Sequence, residues 1–292
     1  MQEKTYRVDI DAIFKTKNPG LYKWIPTFIL TWIKKVAHQH EINEALEEAK
    51  DLTDGDFVDF IIEEKLQAHV RILGIENIPE TGGAILVSNH PLGGLDGMVI
   101  MAEALRIRKD VKVIVNDILM HIPNFTNTFI PVNKLGKKAK DSLQKVEQAY
   151  AEGNLVIVFP AGLCSRKQEG EIKDLDWQKS FLLRSMRYSL PVIPCFFDGH
   201  NSKRFYRLAY WRKKLGIKVN IEMLYLSDEM FLQKGQTFTL TIGQAIPSEQ
   251  LMVKGKKAEW QMAQKVKEYI YALGKNPKLT FDIFSHNSEN KH

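Results

Sequence analysis

The chain has 292 residues, of which 44% are hydrophobic and 26% are charged. This composition is ordinary for a globular protein and excludes a chain that is disordered throughout. The 41 lysines and arginines exceed the 35 aspartates and glutamates, and the resulting net charge of +6 favours anionic partners. The cysteines Cys164 and Cys195 provide neither a disulfide framework nor the spacing of metal ligands, so no metal or prosthetic group is expected.

Residues 1–68 are predicted to form a helical segment. No apolar run follows a basic start, so a signal peptide is not expected, and no uncharged apolar stretch reaches the roughly 18 residues of a membrane-spanning helix. The apolar stretch 21–36 carries two tryptophans and flanking lysines. It either lies in a lipid interface or packs on the main domain, and its composition fits both. Two further helices are predicted at 40–52 and 55–68.

Residues 69–274 are predicted to form an α/β domain. Short apolar runs bounded by turn residues alternate there with helical patterns, which indicates a mostly parallel central sheet flanked by helices. The polar stretch 275–292 is predicted to be a frayed tail. The predicted strands are 70–73, 84–88, 111–115, 129–132, 155–159, 192–197, 219–225 and 237–242, and the predicted helices are 97–108, 137–152, 176–188 and 257–274.

The block at residues 84–97 carries the strongest chemical signal. A buried strand leads into Asn-His, a Gly-rich turn follows, and a helix begins near Asp96, where α/β sheets place ligands. An imidazole acts there as a general base near neutral pH, and a carboxylate on its other ring nitrogen fixes the tautomer. We therefore predict that His90 and Asp96 form a catalytic pair. The loop between them is expected to be positioned by Asn89, Gly93 and Gly94.

Each residue of this pair also has a structural interpretation. A single histidine after a strand is usually structural, and an aspartate that opens a helix is usually an N-cap. Joined by a Pro-Leu-Gly-Gly loop behind a hydrophobic strand, the two residues together favour the catalytic interpretation.

A second block follows the predicted strand 155–159. Pro160 and Gly162 force a turn there and expose backbone N–H groups. Arg166 then offers a bidentate donor for a phosphate or carboxylate, although an ordinary solvated basic loop would have the same composition. Cys164 is expected to be a small buried side chain rather than a nucleophile, because no activated Cys–His arrangement is evident.

These blocks resemble those of the PlsC-like acyltransferases, which acylate glycerol phosphate and lysophospholipid acceptors. Asn-His followed by Asp96 is similar to the family's first block, and the stretches 127–134, 158–166 and 190–194 are similar to the second, third and fourth. The resemblance covers about 70–250, and four blocks in order are more specific than any one of them. It implies that the acceptor is bound by Arg166, Ser165, Gly162 and Lys134.

Two departures from the family pattern bear on the acceptor. Five residues separate His90 from Asp96, where the family usually has four, and Ala161 stands where the family usually has glutamate. Both features resemble a divergent bacterial branch, which includes proteins described as hemolysin-like and some that acylate amino-acid lipids. The acceptor is therefore open between lysophosphatidate, a lysophospholipid and an amino-acid lysolipid.

A basic stretch with interleaved aromatic residues lies between residues 199 and 221, where no acidic residue occurs. Basic charges and aromatic rings together suit an anionic membrane leaflet, although a solvated helix or a nucleic-acid site has a similar composition. No recognised nucleic-acid module accompanies it, so no nucleic-acid partner is expected. The basic stretch consists of Lys203, Arg204, Arg207, Arg212, Lys213, Lys214 and Lys218.

The function predicted from the sequence is O-acyl transfer from a thioester, acyl-ACP or acyl-CoA, to a hydroxyl of a lysolipid or related acceptor. His90 would be the general base and Asp96 the carboxylate that orients it. We expect a peripheral protein at the cytoplasmic face of the membrane, with membrane lipids, the acceptor and an acyl carrier protein as partners. The alternatives are a lipid hydrolase, against which no Gly-x-Ser-x-Gly sequence is present, and a catalytically silent membrane-binding protein.

Overall fold

The computed structural model describes residues 6–17, 19–125, 127–132 and 137–289. Within these residues the strands are β1 (His69–Leu73), β2 (Ala84–Ser88), β3 (Val111–Asn116), β4 (Phe129–Val132), β5 (Leu155–Val158), β6 (Arg166–Gln168), β7 (Glu171–Lys173), β8 (Val192–Asp198) and β9 (Thr237–Ile242).

The α-helices of the same residues lie before, between and after these strands. They are α1 (Ile10–Lys17), α2 (Pro19–Trp24), α3 (Thr27–Val36), α4 (Gln39–Glu48), α5 (Asp54–Phe60), α6 (Leu95–Ile107), α7 (Lys137–Ala151), α8 (Ser180–Tyr188), α9 (Lys203–Lys214), α10 (Leu226–Phe231), α11 (Lys256–Lys275) and α12 (Phe281–Glu289). A π-helical turn at Ile61–Lys65 follows α5, and short 3₁₀ helices occur at Ile75–Asn77, Asp117–His121, Ile221–Tyr225 and Ser248–Leu251.

The central sheet has the strand order β1-β9-β8-β2-β5-β3-β4, and β6 and β7 form a separate antiparallel hairpin. Neighbouring strands of the sheet are parallel except β8 and β9. The carboxyl ends of β8, β2, β5 and β3 therefore meet at one edge, which is where such sheets bind ligands. The predicted α/β fold with a mostly parallel central sheet is confirmed.

Both faces of the sheet are covered by helices. Every residue of β2 and β5 is buried, as the uninterrupted apolar runs of these strands predict. Leu86 and Ile157 point into a core shared with α5 and α6, whereas Ile85 and Val156 point into a core shared with α7, α8 and α11. The chain thus forms a three-layer arrangement that leaves the carboxyl edge of the strands for the site.

The N-terminal helices pack on this domain through one face. Leu30 and Ile33 of α3 are buried, and the ring of Trp32 meets Tyr225 edge to face with 6.0 Å between centroids. Trp24 and Phe28 are 85% and 74% exposed. The stretch 21–36 therefore has one packed face and one exposed aromatic face. Helices α4 and α5 share a hydrophobic core with α6, and the domain boundary after residue 68 stays a prediction.

Two predicted elements are wrong. The segment 219–225 is not a strand but carries the 3₁₀ helix at 221–225, because buried Glu222 faces two arginines rather than a sheet neighbour. A short apolar run fits either kind of element, and its periodicity does not decide between them. The stretch 275–289 is not a frayed tail, since α12 forms there and its Phe281 is buried against Tyr269 with ring centroids 5.3 Å apart.

Candidate active site

His90 and Asp96 meet at the carboxyl edge of the sheet. His90 follows the end of β2, Asp96 lies in the first turn of α6, and Nδ1 of the imidazole is 3.1 Å from Oδ2 of the carboxylate. The loop between them turns back through Gly93, which has a left-handed φ of +78°. This turn accommodates the five-residue spacing, because glycine adopts such a conformation without steric cost.

Asp96 is fully buried and surrounded by donors. Besides the imidazole, its carboxylate accepts hydrogen bonds from the backbone N–H groups of Leu92 at 3.0 Å, Gly94 at 3.1 Å and Gly97 at 2.9 Å. Burial alone would raise the pKa of Asp96, but the charge of His90 and these hydrogen bonds lower it below its usual value. The carboxylate is therefore ionised beside the imidazole.

The imidazole of His90 is held on several sides. Its ring stacks on Phe159 with 4.3 Å between centroids, and its backbone N–H donates to Asp174 Oδ1 at 3.2 Å. Burial favours the neutral ring, but the charge and hydrogen bond of Asp96 outweigh it and raise the pKa of His90 above its usual value. Among the described residues Nε2 has no hydrogen-bond partner, so this nitrogen is available to a substrate.

The residues predicted to position the loop lie at strand ends and turns. Asn89 joins β2 to β8, since its side chain donates to the carbonyl of Phe197 at 2.9 Å and accepts from the N–H of Phe197 at 2.7 Å. A Cβ on Gly93 would come within 3.0 Å of Cys164 Cβ, whereas a Cβ on Gly94 would meet open space. The glycines therefore differ: Gly93 is required by conformation and contact, and Gly94 supplies an N–H to Asp96.

Of the predicted acceptor-binding residues, the three that the structure describes lie on the segment after β5. Ser165 is buried beneath the His90 loop, with its N–H donating to the His90 carbonyl at 2.8 Å. Gly162 is exposed at the turn after β5 with φ +66°. Lys134 lies outside the described residues. Arg166 is 7% exposed, and its Nη2 is 2.9 Å from Oε1 of Glu222.

Glu222 is a buried carboxylate that the sequence interpretation missed. Its Oε2 is 2.8 Å from Nε of Arg212, so it pairs with Arg212 and Arg166 together. Arg166 also lies over the ring of Phe205, with 5.0 Å from the guanidinium carbon to the centroid. An acidic residue inside the apolar run 219–225 was the available signal, because a buried charge needs a partner.

Cys164 is a buried thiol beside this ion pair. Its Sγ accepts a hydrogen bond from Nη1 of Arg166 at 2.9 Å, and burial raises the pKa of Cys164 to about 11. At neutral pH the thiol is protonated, which removes the nucleophilic thiolate form. The expectation of a small buried side chain is confirmed.

The basic stretch and the aromatic face of α2 and α3 (Trp24, Phe28 and Trp32) both adjoin the 3₁₀ helix at 221–225. Arg204 lies over the Tyr225 ring at 4.9 Å and pairs with Asp228, and Arg212 pairs with Glu222. The other members of the basic stretch are exposed. Across the described ranges, no helix combines the length and apolarity needed to cross a membrane.

Comparison with known proteins gives consistent matches along the chain. Residues 12–276 match the model of a family described as acyltransferase. A lyso-glycine lipid O-acyltransferase of Bacteroides thetaiotaomicron is 44% identical over 273 residues, which cover 93% of this chain and 99% of that protein. A protein of the same name from Phocaeicola vulgatus is 43% identical over 272 residues, which cover 93% of this chain and 96% of that protein.

Among solved structures, the 1-acyl-sn-glycerophosphate (LPA) acyltransferase PlsC of Thermotoga maritima matches with a TM-score of 0.44 and 17% identity, over 85% of this chain and 89% of that chain. The family match, by contrast, is a match of sequence, and it includes the N-terminal helices as well as the α/β domain. It supports an enzyme rather than a catalytically silent protein. Because residues 12–276 match the family model and both relatives, each more than 40% identical, match over 93% of its length, this chain belongs to the acyltransferase family and is an enzyme.

Proposed function

We propose that the enzyme moves a fatty acyl chain from an acyl thioester to a hydroxyl of a lysolipid, with His90 as general base. The observation that carries the proposal is the 3.1 Å hydrogen bond from His90 Nδ1 to Asp96, in an acyltransferase, at the ligand-binding edge of the sheet. A proton on Nδ1 leaves the lone pair of Nε2 to accept the hydroxyl proton.

In the proposed reaction, Nε2 of His90 takes the proton of the acceptor hydroxyl while the oxygen attacks the thioester carbonyl carbon. The new C–O bond forms, the tetrahedral intermediate collapses, and the C–S bond breaks. The imidazolium then gives its proton to the leaving thiolate, so the enzyme is regenerated without an acyl-enzyme. Asp96 stabilises the imidazolium while it exists, because its buried carboxylate is ionised.

The proposed acceptor is a lysolipid whose head group carries a carboxylate, of the lyso-glycine lipid type. Two relatives of that name, 44% and 43% identical to this chain, support it. Arg166 is the proposed ligand of the carboxylate, with Lys134 as a second cation, and Ser165 and Gly162 as the further proposed contacts. To bind the head group, Arg166 has to share or exchange its ion pair with Glu222.

The proposed donor is a fatty acyl thioester, either acyl-ACP or acyl-CoA. A thiolate is a sufficient leaving group for attack by an activated hydroxyl, so the proposal includes no metal or prosthetic group. An acyl carrier protein is acidic in character, and the net charge of +6 favours such a partner.

We propose that the enzyme meets its acceptor as a peripheral protein at the cytoplasmic face of the membrane. The exposed aromatic face of α2 and α3 provides rings for the interface, and the exposed lysines of the basic stretch provide charges for anionic head groups. The two surfaces adjoin the same 3₁₀ helix, as the contacts of Trp32 and Arg204 with Tyr225 indicate.

The test is thioester consumption by the purified enzyme, with each donor supplied separately and with a panel of acceptors. Lyso-glycine lipid, lysophosphatidate, lysophosphatidylcholine and a sample without acceptor form the panel, and products are identified by mass. We expect acylated product with lyso-glycine lipid and little thioester loss without acceptor. Thioester hydrolysis at equal rates with and without lysolipid would contradict O-acyl transfer, and preference for lysophosphatidate would contradict the carboxylate acceptor.

A further inference from the structure

A second buried carboxylate, Asp174, lies beneath the loop that carries His90. Its side chain is fully buried, and its Oδ1 accepts hydrogen bonds from the His90 N–H at 3.2 Å and from the Ser165 hydroxyl at 2.6 Å. Its Oδ2 accepts from the indole N–H of Trp177 at 2.9 Å. Three donors therefore converge on one carboxyl group, which matches an ionised carboxylate, an acceptor without a proton to donate.

These donors come from three separate parts of the chain. His90 follows β2, Ser165 follows β5, and Trp177 precedes α8. The Ser165 N–H also donates to the His90 carbonyl at 2.8 Å, so both backbone polar groups of His90 are bound on this side. Asp96 thus holds the imidazole ring, whereas Asp174 holds the backbone from which the ring projects.

Helix α11 packs against Asp174 through Tyr271 and Lys267. The hydroxyl of Tyr271 accepts from the Asp174 N–H at 2.8 Å, and Nζ of Lys267 is 3.5 Å from the Asp174 carbonyl oxygen. Burial raises the pKa of Asp174, opposed by its hydrogen bonds with Ser165, Trp177 and His90, and burial also raises the pKa of Tyr271. The titratable groups around this carboxylate are therefore His90, a neutral Tyr271 and Lys267.

We propose that Asp174 is a positioning residue for acyl transfer, whose carboxylate fixes the backbone of His90 and so directs the imidazole toward the acceptor hydroxyl. This inference rests on the proposed role of His90 as general base. Asp174 lies outside the sequence blocks that resemble the PlsC-like family, the nearest of which ends at residue 166. A general base must be held within hydrogen-bond reach of its proton, so a loosened backbone lowers kcat more than it weakens binding.

Asp174→Asn tests the inference, because it keeps the shape and Oδ1 while it removes the charge and the acceptor for the Trp177 indole N–H. We expect kcat to fall about tenfold to a hundredfold, by analogy with the loss of carboxylates that orient metal-binding histidines. The charges acting on His90 are Asp96, Asp174 and Arg166, and that of Asp174 raises the pKa of His90. Its removal lowers this pKa, so the acidic limb of the kcat/KM profile should move to lower pH, with KM for either substrate little changed.

Asp176→Asn is the matched control. Asp176 lies two residues further along the same loop, and its side chain is 71% exposed and 3.8 Å from Nζ of Lys267. An exposed ion pair of this kind contributes little, so we expect wild-type kcat and pH profile. Ser165→Ala is the second variant, which keeps the Asp174 charge and removes one of its three hydrogen bonds. We expect a smaller loss of kcat with the acidic limb in place, and this variant decides the question if Asp174→Asn does not fold.

The results separate this inference from the proposed function. The inference is overturned if Asp174→Asn has wild-type kcat, or if its kcat falls while the acidic limb stays in place. In either case, an inactive His90→Ala variant would still support His90 as the general base. If Asp174→Asn does not fold, wild-type kcat in Ser165→Ala overturns the inference. Full activity in His90→Ala would overturn both.

Discussion

His90 and Asp96 each stabilise the charged form of the other. Burial favours the neutral imidazole and the protonated carboxyl, yet the charge of each partner and the hydrogen bond between them outweigh burial. The pKa of His90 is raised and that of Asp96 is lowered. The pair is therefore a stronger proton acceptor than an isolated histidine, and it is ready to accept a proton at pH values above the raised pKa.

Replacing His90 by alanine should abolish acyl transfer. Without the imidazole no group in the site takes the hydroxyl proton, whereas Asp96 keeps its three backbone donors and the loop keeps its shape. Turnover is measured on purified protein, with the melting temperature as a check of folding. More than a few per cent of wild-type turnover would exclude His90 as the base.

Asp96→Asn should lower kcat by orders of magnitude, roughly 10⁴-fold in a comparable histidine–aspartate pair. The wild-type acidic limb should lie above the usual pKa of histidine, because His90 must lose its proton to act and its pKa is raised. Removal of the Asp96 charge lowers that pKa and should move the limb to lower pH. A near-normal rate with an unmoved limb would make Asp96 a helix cap alone.

Arg166→Ala should raise the KM for an anionic acceptor more than the KM for the thioester. Glu222 keeps Arg212 as its partner in this variant, so no buried carboxylate is left alone. Arg187, whose side chain is 69% exposed and pairs with Glu147, gives the matched control Arg187→Ala. Equal changes in both KM values would make Arg166 a structural member of the Glu222 ion pair.

At the scale of elements, the strands were predictable and the buried charge pairs were not. The central strands β2, β5 and β8 are buried on both faces over almost their whole length and therefore read as apolar runs. Apart from the segment 219–225, the predicted strands fall within about one residue of those observed. His90 and Asp96 are six residues apart, so turn chemistry alone brings them together. Arg166 and Glu222 are 56 residues apart, and Asp174 contacts His90 across 84 residues, distances that a local pattern does not encode.

The turn after His90 should tolerate no side chain at Gly93. A Cβ there meets Cys164 at 3.0 Å and Leu226 at 3.1 Å in a left-handed backbone, so Gly93→Ala should cost about 2 kcal/mol or more and lower kcat. Gly235 has a similar φ of +72° but open space around it, and Gly235→Ala should cost about 1 kcal/mol with kcat unchanged. Denaturant unfolding and turnover compare the two, and equal losses would show that contact at Gly93 is unimportant.

At the scale of the whole molecule, the basic stretch and the aromatic face of α2 and α3 should contribute separately to membrane binding. Reversing the charges of Lys213, Lys214 and Lys218 should weaken sedimentation with anionic vesicles, by up to about 1 kcal/mol for each residue. This contribution should fade with salt, since the Debye length falls from about 10 Å at 0.1 M to about 3 Å at 1 M. Neutral vesicles should bind the charge-reversed and wild-type proteins equally.

Replacing Trp24, Phe28 and Trp32 by serine should weaken binding to neutral as well as anionic vesicles, because burial of apolar rings does not depend on lipid charge. This contribution should also barely respond to salt. Point replacements are preferable to deletion of the segment, since α3 also buries Leu30 and Ile33 in the domain. If the wild-type protein fails to sediment with anionic vesicles at low salt, the peripheral location is wrong. The acceptor would then reach the site as a soluble molecule.

The strand order of the sheet also limits how far the enzyme can fold while it is being synthesised on the ribosome. β1 is an edge strand whose neighbour is β9, with His69 opposite Thr237. The side chain of Asn89 hydrogen-bonds to the backbone of Phe197, which is 108 residues later in the chain. A nascent chain that has emerged through its catalytic loop therefore still lacks the strands that complete it, and its apolar strands have no lasting partners. Catalytic competence therefore requires that synthesis has passed β8 and β9, and until then the apolar strands of the nascent chain are open to aggregation.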